Sequence, residues 1–355
     1  MSEAEESNTS NPIPIAVSAW GKSIDCSTTG PLSFLFDRLE SQGFQVVNQD
    51  HSSAQIFVSI QHNRSVFEAT QNMKDLRHKV LVSYEPKIVS PEEYRRPVVD
   101  AYDSVIRWSI LHRTSDRETV APAGIYWYGS AQENLIRYSN QIRGWSSISL
   151  INAHKHSLIK GSLYSLRRGV VEAVASNLPG FNVSLAGTSW ARGRKYILES
   201  NLRSLFLALV SGNFPDFRGL SRRIRTYPNL KLVGPVDDGL DFLSRATFAI
   251  VIENEATYVS EKLPNAILAG CVPIYCGPKL ENFDIPSGVC IQVSAKPQSF
   301  VEAIKGVTPG VADAVKKAGQ EWLMNPKTAT KYSYDSAMTN LADNIIQNIR
   351  LSESR

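Results

Sequence analysis

The chain has 355 residues, 43% of them hydrophobic and 20% charged, with a net charge of +4. That balance is the balance of a globular protein and excludes a disordered or low-complexity chain, and the length suits two domains, each able to bury its own core. No apolar run approaches the ~20 residues that a membrane-spanning helix needs.

Residues 1–11 are acidic and polar, without the basic and apolar regions of a secretory signal, and read as a disordered leader. From there strand and helix patterns alternate. Strands are expected at 13–19, 44–47, 54–60, 79–84 and 104–108, with helices at 32–42 and 66–76. Such alternation argues for a parallel sheet covered by helices on both faces. Residues 110–146 are irregular and aromatic, with Tyr126, Trp127 and Tyr128 in a row, and read as loops and a crossing. A second unit follows, with strands at 148–152, 181–186, 230–233 and 248–252 and helices at about 158–175 and 197–210. A last amphipathic helix covers 338–349. The organisation is a leader, an α/β domain over 12–146, a second over 147–330, and a C-terminal helix over 331–355.

The run from Phe248 to Pro278 is the most informative in the chain. An apolar strand ends in Glu253 and Asn254; helical spacing over 263–269 stops at Gly270; a second apolar strand over 272–275 ends at Gly277-Pro278. A strand–helix–strand crossover of this kind places its polar loop at the carboxyl edge of a parallel sheet, where open α/β folds bind ligands. Pro264 belongs in the first helical turn because it has no donor to lose, so Glu261 and Lys262 start the helix. Unpaired N–H groups, the dipole and the Lys262 charge favour a phosphate there; a plain acid–base pair on a helix start is the other reading of those two residues.

This run resembles the signature of the α-1,3-fucosyltransferase family. The resemblance is carried by Phe248 with Glu253-Asn254, by Tyr258-Val259-Ser260-Glu261-Lys262, where Ser260 replaces a usual threonine, and by Ala269-Gly270-Cys271-Val272-Pro273-Ile274 with Gly277. It is specific over about thirty residues and thin elsewhere. It implies the glycosyltransferase-B architecture, two Rossmann-like domains facing across a cleft, with the acceptor on the N-terminal domain and the GDP-sugar on the C-terminal one. It also implies inverting transfer of L-fucose from GDP-fucose to a glycan hydroxyl, by default in α-1,3 linkage, with no further cofactor.

Glycosyl transfer needs a base for the acceptor hydroxyl and positive charge for the departing diphosphate. For the base the resemblance points to Glu85, which Pro86 keeps out of helical geometry at a strand end; a loop carboxylate paired to Arg95 or Arg96 is the alternative. For the diphosphate it points to Lys262 and to the pair Lys160 and Tyr164, where the family carries an arginine four residues before a tyrosine. Lysine keeps the charge and loses the bidentate fork; Arg167 and Arg168, further along, are placed to compensate. Glu253, Asn254, Tyr258 and Glu261 are expected to hold the donor, with structural roles open for Glu253 and Tyr258.

Asp237-Asp238 precedes an apolar helix pattern and reads as an N-cap rather than a metal pair. His154 and His156 have no third ligand nearby, and no metal is assigned. The cysteines at 26, 271, 276 and 290 lack metal spacing and read as reduced thiols of a cytoplasmic protein. Basic clusters at Arg192-Gly-Arg194-Lys195 and Arg222-Arg223-Ile-Arg225 suit an anionic donor, contact with anionic lipid headgroups, or a solvated face. No nucleic-acid module accompanies them. A transferase for another GDP-sugar and a silent sugar-nucleotide or glycan-binding protein are the rival readings.

Overall fold

The computed structural model describes residues 11–19, 22–23, 32–49, 51–108, 115–121, 126–139, 141, 143–210 and 212–353. Cys26 and all but the last residue of the expected leader lie outside the described residues.

The first sheet contains Ile13–Ala19 (β1), Lys22–Ser23 (β2), Phe44–Val47 (β3), Ile56–Ile60 (β4), His78–Ser83 (β5), Ser104–Arg107 (β6) and Glu118–Val120 (β7). Its order is β2-β1-β4-β5-β6-β7, with β3 also on β1, and every pairing is parallel except β1 with β2. Ser33–Ser41 (α1), Arg64–Ala69 (α2), Arg96–Val99 (α3) and Ala131–Ser139 (α4) are its helices and the crossing. The helix expected over 66–76 is shorter: Asn63 caps it by accepting from the Val66 N–H, and it passes into a tight turn at Thr70–Asn72. Within 110–146, expected as loops, β7 and α4 are regular; three residues are too few to show a period.

The second sheet contains Ser147–Ile151 (β8), Asn182–Ala186 (β9), Leu230–Gly234 (β10), Phe248–Ile252 (β11), Val272–Cys276 (β12) and Ile291–Gln292 (β13), all parallel, in the order β10-β9-β8-β11-β12-β13. Its helices are Tyr164–Asn177 (α5), Arg194–Val210 (α6), Gly239–Ser244 (α7), Lys262–Leu268 (α8), Pro297–Gly306 (α9), Pro309–Met324 (α10), Pro326–Tyr332 (α11) and Tyr334–Glu353 (α12). Both β11 and β12 are buried at every position, as continuous apolar runs covered on two faces should be. The Asp238 cap holds: its carboxylate accepts from the Asp241 N–H at 2.9 Å at the start of α7. No sequence expectation covered α9–α11 or β13.

These are two α/β domains, and α12 ties them together. It follows the second sheet in sequence but packs on the first, against α1 and β5. Met338, Leu341, Ala342, Ile345, Ile346 and Ile349 fall on one face, at helical spacing, and join Leu35, Leu39, Ile56 and Val80 in one cluster. From the other direction Tyr258, in the loop between β11 and α8, is buried in the same cluster, while Ile88 of the first domain packs with Leu158, Ile159 and Tyr164 of the second.

Ile345 is fully buried. Ile345→Ala is expected to lower unfolding free energy by about 2–5 kcal/mol, measured by chemical denaturation, with both domains losing stability together.

Candidate functional site

In the second sheet β8 has β9 on one side and β11 on the other, so the chain direction of winding reverses between β8 and β11. Ligands of open α/β sheets bind beyond the carboxyl ends of the strands at such a point. A cavity of about 370 Å³ lies there, lined by Ile151, Asn152 and Ala153 after β8, by Ile250, Val251 and Asn254 at β11, and by Glu85 from the other domain. Lys155, Arg167, Glu261 and Lys262 bring the remaining charge to its wall.

The floor is built on Glu253. Its side chain is fully buried where β11 ends. The carboxylate accepts from the Ser260 N–H at 3.0 Å and the Ser260 hydroxyl at 2.7 Å. Lys262 Nζ lies 3.5 Å from it and donates to Ser260 Oγ at 2.8 Å. An unpaired buried carboxylate would be strongly unfavourable, so these partners are required, and they fold residues 254–261 back over the strand end. A Cβ at residue 277 would sit 2.8 Å from Glu253 Cγ and collide with Tyr275 Oη, which accounts for Gly277.

Arg167 closes the same end. It is 2% exposed, and its Nη2 donates to the carbonyls of Ile252 and Glu253 at 3.1 and 3.3 Å and to Asn254 Oδ1 at 2.8 Å. Its guanidinium stacks 4.6 Å from the Tyr164 ring centre. Burial pulls its pKa down to about 10, against the opposing pull of Tyr164, Glu253 and Glu261, so it stays charged at neutral pH. Its Nε is buried without a hydrogen-bond partner.

Glu85 enters from the loop after β5. Burial raises its pKa, while Lys155 and Lys262 pull it down and Glu261 pushes it up. No ion pair joins it to Arg95 or Arg96 among the described residues; Arg96 instead meets Asp100 at 3.3 Å. The loop rests on a buried polar chain. Tyr94 donates to the Glu85 carbonyl at 3.0 Å, and its ring lies 4.1 Å from the Arg107 guanidinium. Arg107 reaches Glu118 at 2.5 Å, Ser83 Oγ at 3.2 Å and the Glu93 carbonyl at 3.2 Å. Ser83 in turn donates to Glu93 Oε2 at 2.6 Å, and the His62 N–H donates to Oε1 at 2.8 Å. Burial pushes Glu93 up to about 7 despite those donors.

Of the residues singled out in the sequence, Glu85, Asn254, Tyr258, Glu261 and Lys262 line the cavity. Glu253 lies beneath it as a positioning group. Lys160 and Tyr164 are not among its lining residues. The helix expected from about residue 158 begins at Tyr164, because Gly161, at φ +96°, turns the chain in a conformation that residues with a Cβ avoid. Lys160 is left exposed before that turn, where its charge acts on Asp216. Tyr164 backs Arg167 and faces a second cavity of about 300 Å³ that shares Lys155 with the first. The cations at the first cavity are thus Lys155, Arg167 and Lys262. Lys155 lies in the loop that begins at the carboxyl end of β8, where the rule that ligands gather at strand ends directs attention. Among the described residues no group of three His, Cys, Asp or Glu is placed to hold a metal ion.

No protein-family model and no curated protein matches the chain. Solved structures do resemble it. Anabaena Alr3699/HepE in complex with UDP and glucose superposes with a TM-score of 0.56 at 12% identity, over 94% of this chain and 98% of that one. An α1,3-fucosyltransferase with GDP gives 0.54 at 13%, over 98% and 93%. An α-glucosyltransferase in complex with UDP and DNA gives 0.54 at 9%, over 95% and 100%. These likenesses establish the fold as the two-domain glycosyltransferase-B architecture.

The raised pKa of Glu93 carries a sign. The fold favours its protonated form, so that stabilisation is full below the ordinary carboxylate range and is lost as pH rises through about 7. The parent is expected to lose on the order of 3 kcal/mol between pH 4.5 and pH 8 from this group, and Glu93→Gln to flatten that part of the profile, read from denaturation midpoints across pH.

Proposed function

We propose that the protein is an inverting fucosyltransferase that moves L-fucose from GDP-fucose to a hydroxyl of a glycan, with α-1,3 linkage to an oligosaccharide or a surface polysaccharide precursor. The observation that carries this reading is the convergence of Lys155, Arg167 and Lys262 on one cavity with Glu85 set across it from the other domain. A departing nucleoside diphosphate needs concentrated positive charge in a partly dry site, and an acceptor hydroxyl needs a base on the opposite side of the sugar carbon. The fucose and the guanine rest on the signature over residues 248–278; likeness to the GDP-bound fold is in keeping with them.

In this reading the acceptor oxygen attacks the anomeric carbon while its proton passes to a Glu85 carboxylate oxygen. The bond from that carbon to the phosphate oxygen breaks, and the electron pair leaves with GDP. Burial suits Glu85 to the task, since a base whose pKa stands above the usual carboxylate range takes a proton more readily. Arg167 and Lys262 are held in place before any ligand arrives, by the strand-end carbonyls and by Glu253 with Ser260, so little reorganisation accompanies leaving-group departure. Lys155 is exposed and free to move onto the diphosphate. Glu261 and Asn254 supply acceptors and donors for the donor's hydroxyls.

Calorimetry with GDP-fucose, GDP-mannose, GDP and UDP tests the donor. Tight binding of the guanine ligands with preference for GDP-fucose is expected. Preference for GDP-mannose would mean another GDP-sugar is used, and no guanine binding would overturn the reading. Lys155→Ala should weaken GDP about 10- to 100-fold, the loss of one charge-assisted hydrogen bond, without changing the melting temperature. Glu85→Gln should keep GDP binding and lower turnover about 10²- to 10⁴-fold; unchanged turnover would remove the base assignment. Because Glu85 must be ionised to act, the acid limb of kcat/KM should lie above the ordinary carboxylate range and move to still higher pH in Lys155→Ala, which removes a charge that holds it down.

A further inference from the structure

Helix α6 packs inward through a mixed face and carries large apolar side chains on its outer face as well. Ile197, Ser204 and Ala208 point inward and are buried, and Tyr196, Ser200, Arg203 and Ser204 line the cavity that shares Lys155 with the candidate site. On the outer face Leu198, Leu202, Phe206 and Leu209 are 62, 58, 65 and 59% exposed. Their spacing of four, four and three residues sets them in one stripe of about 17 Å along the helix. The chain beyond α6 extends the apolar surface with Phe214, 89% exposed, and Phe217, 58% exposed. Exposed apolar side chains gathered in this way on a folded domain mark an interaction surface.

The surrounding charge says what covers it. Residues 190–225 hold eight Lys and Arg and only two acidic residues, Glu199 and Asp216, and Asp216 is already paired to Arg218 at 2.8 Å. Lys195, Arg203, Arg223 and Arg225 are exposed. A second copy of this surface would set those cations against their own kind, which disfavours a symmetric protein contact. An apolar stripe flanked by Lys and Arg is the pattern of a helix lying in the headgroup boundary of an anionic bilayer. We propose that the outer face of α6, continued through Phe214 and Phe217 and framed by Lys195, Arg203, Arg223 and Arg225, docks this protein on anionic lipid membranes. The second cavity lies against the inner face of the same helix, so docking holds that cavity one helix away from the lipid surface.

Vesicle co-sedimentation tests this with the full chain, using phosphatidylcholine vesicles with and without about one third phosphatidylglycerol. The parent is expected to partition onto the anionic vesicles, and to release as salt is raised. Leu202→Ser with Phe206→Ser should reduce partitioning at least tenfold. Arg223→Gln with Arg225→Gln should abolish the preference for phosphatidylglycerol. All four substitutions fall on exposed side chains, and both variants should keep the parent's melting temperature and GDP affinity, so lipid docking is read apart from the donor site. Absence of parent binding to anionic vesicles, or equal binding by the Leu202/Phe206 variant, would overturn the proposal. So would parent self-association in sedimentation equilibrium that the same variant abolishes, since the stripe would then be a protein interface.

Discussion

A carboxylate buried at the end of a strand organises this molecule. Glu253 is fully buried, so its oxygens need protein donors, and Ser260 meets both through its N–H and its hydroxyl. Bringing Ser260 to that position forces the chain to loop from Asn254 back to the start of α8. One polar side of the cavity follows from the loop: Asn254 at its beginning, Glu261 and Lys262 at its end, and the Lys262 ammonium held between Ser260 and Glu253. The neighbouring strand accommodates the arrangement only with glycine at 277, where any side chain would collide with Glu253 and Tyr275.

The same loop joins the domains. Tyr258 leaves it to be buried among residues of the first sheet, and α12 returns from the second domain to complete that core. Two crossings from the second domain onto the first flank the cavity, and Glu85 on one domain and the three cations on the other meet at its wall. Their electrostatics are mutual. Burial disfavours the ionised form of Glu85 and of Arg167 alike, and each charge is kept by groups of opposite sign close by. Such a site is charged and pre-arranged before a ligand enters, which is the condition under which charge is most effective against a developing oxyanion.

The region around α6 departs from the pattern of the rest. On α12 one apolar stripe is covered by the first domain, whereas on α6 the most apolar stripe, Leu198, Leu202, Phe206 and Leu209, faces outward. Local spacing could not reveal this, because an apolar stripe on a helix looks like a core-facing one until its neighbours are known.

Much of the fold was legible because its signals are local. The strands of both sheets are short apolar runs bounded by turn residues, and β1, β3 and β11 lie where the runs do. The crossover from β11 to β12 and the Asp238 cap are contained in a few consecutive residues, and their hydrogen bonds are made within that span. Glu85 and Asn254 were legible because each stands just beyond a strand end that the sequence marks, and Glu261 and Lys262 because Pro264 marks the helix start beside them; Tyr258 came with the resemblance over residues 248–278. Tertiary structure alone decided the rest. Arg167, one turn into a helix, is a cavity residue only because β11 ends beside it, and Lys160 is not one because a turn at Gly161 delays that helix. Whether Glu253 faced a ligand or the protein's own loop depended on Ser260, seven residues away, folding over it. Burial and pairing are properties of what surrounds a side chain, and for Arg167 those surroundings come from a strand end 85 residues away.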